Sequence, residues 1–293
     1  MHSYLRAIGF SSIKDGSDIR DLIQDVFYEY DVRNVLKEDK GLAFVEYSKS
    51  FGPDMGITVC GMLDREGFHQ EYYFPYLNGS GITTTDEIVV EKRGGNESFS
   101  GICEDIRVGV SLIFYLQNAA KYKRENIMGN LLNQNISATI SGLSLQGKIL
   151  LPVCINEKLT HSEREAARKR SRLIAEARQG NEEAIESLTL EDIDMYTTIT
   201  RRIQQEDVFS IVETYFMPYG AECDQYHIMG EIKSIQKVEN DYTKEKIYKM
   251  NLDCNDLNFD ICINKKDLLG EPEVGRRFKG VVWLQGCVNF PEN

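Results

Sequence analysis

From Tyr226 to Phe290 the sequence reads as four strands: Tyr226 to Val238, Lys246 to Cys254, Leu257 to Asn264 and Arg276 to Phe290. Gly230, Gly280 and Gly286 fall inside them. Glycine weakens a flat strand but permits the sharp coiling that closes a small barrel. Period-2 alternation puts Ile228, Ile232, Leu252, Phe259, Ile261, Phe278, Val282 and Leu284 on the inner side. The region is therefore expected to be a small C-terminal β-barrel of OB-like or SH3-like type. An OB barrel uses five strands, and four are visible here.

The last strand carries the candidate binding residues Arg276, Arg277, Lys279 and Trp283, after a turn at Gly270-Glu271-Pro272. Arg277, Lys279, Val281 and Trp283 share one parity, and Phe278, Gly280, Val282 and Leu284 the other. The second set suits the barrel core, so the first faces outward. Cations beside an aromatic ring are how OB-type surfaces hold single-stranded nucleic acid. The competing arrangement is a buried Trp283 covered by the helical block, with a cation–π contact from Arg277 or Lys279. The buried arrangement is the expected one, since an isolated exposed tryptophan on an acidic chain is uncommon.

The net charge of −12 is spread along all 293 residues. It argues against nucleic acid and anionic membranes as partners, because both need a basic surface. The seven cysteines are scattered, odd in number and free of CxxC spacing, unlike a disulfide framework. Cys254 and Cys262 fall on opposite faces of their hairpin and cannot bridge. The N-terminus lacks the pattern of a signal peptide, and no apolar run reaches the roughly 20 residues that span a bilayer. A cytoplasmic protein with reduced thiols is expected.

Upstream, Ser17 fits a helix N-cap, and Ile19, Leu22, Ile23, Val26, Phe27 and Tyr30 follow it at helical spacing. Strands are expected at Leu42 to Tyr47, Ile57 to Leu63, Phe68 to Leu77, Ile88 to Glu91 and Ile106 to Leu116. Lys121 to Leu132 suits a helix. Ile136 to Ile140 and Gly147 to Ile155 read as a hairpin around Ser141-Gly142. From Glu157 the pattern becomes helical, with a capping box at Thr160 and Glu163 and further amphipathic helices, the last containing Val208, Phe209, Val212, Tyr215 and Phe216. The chain reads as α+β: an N-terminal mixed α/β domain (1–156), a helical block (157–220) and the small barrel (221–293).

Other constellations have plain structural readings. The stripe Arg164, Arg168, Arg172 suits a solvated helix face. Glu191, Asp192 and Asp194 suit a first helical turn. Cys223, Asp224 and His227 are metal-ligand types without a fourth ligand at sensible spacing. Cys60 and His69 can meet across adjacent strands. No nucleophile elbow, zinc motif, phosphate loop or dinucleotide fingerprint is present, and no cofactor or metal is expected.

Residues 2–10 (His2-Ser3-Tyr4-Leu5-Arg6-Ala7-Ile8-Gly9-Phe10), 181–194, 206–213, 216–226 and 270–286 together carry a resemblance. The chain resembles a domain-of-unknown-function family of anaerobic Gram-positive bacteria over nearly its full length. The resemblance implies a bacterial cytoplasmic protein and supplies no catalytic residues. The leading functional reading is a non-enzymatic binding or interaction protein, for a protein or small ligand, that uses the outward face of the last barrel strand. Its rivals are an enzyme with a site near Phe68 to Tyr76 and an oligonucleotide binder using Arg277, Lys279 and Trp283.

Overall fold

In the computed structural model, residues 2–13, 16–37, 41–94, 98–105, 107–129, 136–152, 169–170, 172–173, 176–177, 180–190 and 212–290 are described. A 3-10 helix (Ser3–Ile8) and helix α1 (Gly16–Tyr28) come first, with Ser17 inside α1 rather than capping it. Strands β1 (Val32–Lys37), β2 (Ala43–Gly52), β3 (Met55–Leu63) and β4 (Phe68–Leu77) follow as a four-stranded antiparallel sheet in chain order. Leu22 and Val26 of α1 are buried in the core of this sheet.

The second sheet is built from β5 (Ile88–Arg93), β6 (Ser98–Asp105), β7 (Val110–Leu116), β8 (Ser137–Leu150), β9 (Tyr215–Pro218), β10 (Gln225–Glu239), β11 (Lys246–Cys254), β12 (Leu257–Asn264), β13 (Leu268–Leu269) and β14 (Arg277–Asn289). Helix α2 (Ala119–Ile127) lies between β7 and β8. Five strands close on themselves in the order β8, β12, β11, β10, β14 and back to β8. The β8–β12 pair is parallel, and the other four pairs are antiparallel. Past Trp283, β14 leaves β10 and takes β7 as its neighbour, which extends the barrel wall into β7, β6 and β5.

The fifth barrel strand comes from far upstream. Ser137–Leu150 is one 14-residue strand, not a hairpin around Ser141-Gly142. The serine and glycine that resemble a turn do other work. Ser141 Oγ is buried and donates to Leu77 O at 2.6 Å. A Cβ on Gly142 would sit 3.2 Å from Ile261 and 3.3 Å from Val282, so glycine fits a crowded inner wall. A bulge opposite Val281/Val282 helps β8 to curve. The closed barrel thus draws on residues outside 221–293.

All eight inner residues named from the alternation are fully buried in one core with Phe114, Phe216 and Tyr226. The strand glycines make room for rings as well as for coiling. Added Cβ atoms on Gly147 and Gly280 would approach the Phe278 ring to 2.3 and 2.7 Å. Those on Gly101 and Gly286 would approach the Phe114 ring to 2.2 and 2.7 Å.

A second core fills the space between the four-stranded sheet and the outer barrel wall. Phe44, Val59 and Phe74 meet Leu143, Ile247, Cys262 and Trp283 there, with Leu5 and Ile8 of the 3-10 helix. Cys254 belongs to the inner core and Cys262 to this outer one, so their faces are opposed as the alternation required.

Most of the expected helical block lies outside the described residues, including the capping box, Arg164, Arg168 and the acids at 191–194. Within it, residues 182–190 form a helix (α3), whose first turn is held by Asn181 Oδ1. Arg172 pairs with Glu176 one turn on. The end of the expected last helix is instead strand β9, paired with β10. Phe216 there packs on Tyr226 and Phe259 in the barrel core, a contact that overrides helical spacing. No helix among the described residues is long and apolar enough to cross a membrane.

Candidate functional site: the groove at the β8–β14 seam

Alternation along β14 sends Arg277, Lys279, Val281, Trp283 and Gln285 to the outer wall. The wall is covered at both ends. Gln285 is buried, with its Nε2 donating to Pro75 O at 2.7 Å and its Oε1 accepting from Gln117 Nε2 at 2.9 Å. Trp283 is 5% exposed, and its indole Nε1 donates to Asp224 Oδ2 at 2.8 Å. Among the described residues its ring contacts come from outside the helical block. They are His2 and Tyr4 of the N-terminal segment and Tyr115 of β7, with ring centroids 4.6, 5.2 and 5.3 Å away.

At the other end Arg277 is 6% exposed. Its guanidinium donates to Leu151 O at 3.0 Å and Val212 O at 2.7 Å. Arg276 turns aside to Glu273 at 2.9 Å and Glu271 O at 3.1 Å. The expected surface of Arg276, Arg277, Lys279 and Trp283 is therefore divided: two are engaged inside the protein, one pairs with its own turn, and Lys279 alone of the four opens onto a groove.

That groove holds about 390 Å³ and is lined by Gln146, Gly147, Lys148, His227, Leu269, Lys279, Gly280 and Val281. Lys279 stands directly opposite Lys148 in the antiparallel β8–β14 pair. His227 stands opposite Val281 in the β10–β14 pair. The Tyr215 hydroxyl lies 3.4 Å from His227 Nε2, and Tyr219 flanks the ring at 6.1 Å. Partial burial and the ammonium groups of Lys279 and Lys148 hold the His227 pKa below its ordinary value. Partial burial and Lys148 lower that of Lys279. Burial is the larger cause of both shifts, and the neighbouring ammonium groups add to it.

His227 was legible in the sequence only as one member of a metal-type trio. The structure sends the trio to different neighbours: Asp224 takes Trp283 and Arg93, Cys223 Sγ accepts from Arg93 Nη2 at 3.6 Å, and His227 faces the groove. Among the described residues no group of three or more His, Cys, Asp or Glu could hold a metal ion. Lys148 went unnoticed because its strand was read as half of a hairpin. The signal that finds it is the exposed pair Gln146 and Lys148 flanking Gly147 on a continuous strand.

The other chemistry-bearing cluster lies under the four-stranded sheet. Cys60 stands opposite Tyr72, whose hydroxyl bonds the Cys60 thiol and Tyr115, while His69 stands opposite Met62. His69 is exposed and meets Asp64 at 3.2 Å, so Cys60 and His69 form no dyad. Glu46 is buried beside this chain, accepting from Ala120 N at 3.0 Å and Asn34 Nδ2 at 3.3 Å. Burial pushes the Cys60 thiol and both phenols up and raises Glu46 to about 7. A thiol held protonated in this way is inert rather than nucleophilic.

Over residues 5–286 the chain matches the family described as "Domain of unknown function, E. rectale Gene description (DUF3881)". The chain belongs to this family. The family takes its name from a gene of an anaerobic Gram-positive bacterium, in line with the resemblance carried by the sequence. The DUF3881 match takes in every groove residue and the strand that closes the barrel. No curated protein and no solved structure matches the chain.

Proposed function

We propose that the chain is a binding protein whose contact surface is the groove at the β8–β14 seam. The observation that carries this reading is the layout of the β14 outer wall. Its two ends are packed away, and its middle opens where apolar side chains, two lysines and a histidine converge. A concave site with an apolar lining and a few convergent polar groups is the usual form of a small-molecule site.

The barrel supports an OB-like reading. A three-strand meander (β10, β11, β12), a fourth strand (β14) beside the first, and a parallel closure onto the third are in keeping with the pairing order of an OB barrel, although β8, in the place of the last strand, comes first in the chain. The OB face that holds oligonucleotides is that of its second and third strands. Here those are β11 and β12, whose outer side chains are taken up by the N-terminal half. Lys249 pairs with Asp54 at 2.6 Å, Asp260 accepts from Ser80 N at 2.7 Å, and Asn264 Nδ2 donates to Arg6 O at 3.3 Å. This cover, with the net charge of −12, favours a small ligand over a nucleic acid strand.

Soaking crystals of the protein in a library of small fragments tests the reading. Bound fragments should gather against His227, Leu269 and Val281. Fragments that gather elsewhere and leave this groove empty would refute it.

A further inference from the structure

Resting on the groove reading, we infer that the ligand is a small phosphate monoester, with its phosphate between Lys148 and Lys279 and its apolar part against Leu269 and Val281. Like charges directly opposite each other on paired strands repel, and here the two ammonium groups flank one groove. Each lysine keeps a further interaction within the chain. What assigns them to a ligand is their placement on opposite strands of a shared concavity, with an imidazole on the third strand.

A phosphate monoester carries about −1.5 to −2 charges near neutral pH and three acceptor oxygens, which suits a pair of ammonium groups beside an imidazole. Lysine serves phosphate as a point charge, without the fork geometry arginine needs. Among the described residues, the groups facing His227 are Tyr215 from β9, Tyr219 beyond it, Lys279 from β14 and Lys148 from β8. A phosphate among them reverses the local field and favours the protonated ring. Leu269 is 74% exposed at the groove rim, an apolar surface that a bare inorganic ion leaves uncovered. At about 390 Å³ the groove suits one small molecule rather than a polymer.

The test titrates the full chain with phenyl phosphate, with inorganic phosphate and with benzyl alcohol, following the His227 ring and Val281 methyl resonances. Phenyl phosphate should shift both saturably, bind more tightly than inorganic phosphate and raise the His227 pKa. Lys148→Gln and Lys279→Gln should each weaken it by about tenfold, the size of one charge-assisted contact. Lys148→Arg should retain binding, and Lys237→Gln, at another part of the barrel, should change nothing. Melting curves confirm that each variant is folded.

If benzyl alcohol shifts these residues and phenyl phosphate binds no better, the phosphate inference falls and the groove reading stands. If neither probe shifts them, both fall. Phenyl phosphate binding that is indifferent to both lysine substitutions would also overturn the inference.

Discussion

Trp283 and Asp224 are joined by a buried hydrogen bond of 2.8 Å, and Arg93 at the end of β5 donates to the same carboxylate oxygen at 2.6 Å. One carboxylate thus ties the last barrel strand to the far wing of the sheet. The Arg93 guanidinium also lies 5.9 Å from the centre of the Tyr115 ring, which packs on Trp283. Trp283 is a structural residue of the outer wall.

Its substitution should behave accordingly. Trp283→Ala is expected to lower stability by about 3–5 kcal/mol, the range for truncating a buried aromatic. As the sole tryptophan, it should resist quenching by iodide in the native protein. A loss below ~1 kcal/mol together with strong quenching would mean that the N-terminal segment does not cover it.

Glu46 makes a prediction with a definite sign. Burial raises its pKa from 4.5 to about 7, against hydrogen bonds from Ala120 and Asn34 that pull the other way. A raised native pKa means that the unfolded chain releases its proton first. The contribution is full below the unfolded value and is lost as pH rises toward the folded one. Glu46→Gln keeps an acceptor for Ala120 N and cannot ionise. Relative to the parent, it should gain roughly 2–3 kcal/mol between acid and about pH 8. Denaturant unfolding at both pH values measures this, and equal differences at the two would show that Glu46 ionises freely.

Gly147 tests the closure of the barrel by β8. Its Cβ would fall 2.3 Å from the Phe278 ring. Gly147→Ala is therefore expected to cost about 1–3 kcal/mol by overpacking, and Phe278→Leu in the same chain should recover part of it. Additive losses would mean that the two positions are not in contact across the β8–β14 pair.

The inner core was readable because strand alternation is local. Each of Ile228, Phe259 and Val282 declares its face by its neighbours two residues away, and a single barrel interior gathers them all. The fifth barrel strand, β8, was not readable, because Ser141-Gly142 has the composition of a turn and its actual partners, Leu77, Ile261 and Val282, are distant in sequence. Tyr215 and Phe216 sit at helical spacing from Val212, yet their partners His227 and Phe259 hold them as a strand. β1 and β6 were missed as well, and both need their neighbours to exist as strands. For the site, alternation placed Lys279 on the outer wall, but which stretch of that wall stays open depends on Trp283, Gln285 and Arg277 finding cover elsewhere in the chain.

Lys148, Lys279 and His227 share one groove, where the two ammonium groups act on the imidazole. The pKa of His227, followed by ring NMR in the unliganded chain with and without the Lys279 ammonium, separates their effect from that of burial. It should lie below the 6.5 of an ordinary imidazole, and Lys279→Gln should move it upward, since removing a neighbouring cation relieves the protonated ring. A His227 that titrates at or above the ordinary value, and does not respond to Lys279→Gln, would contradict the groove and the function proposed for it.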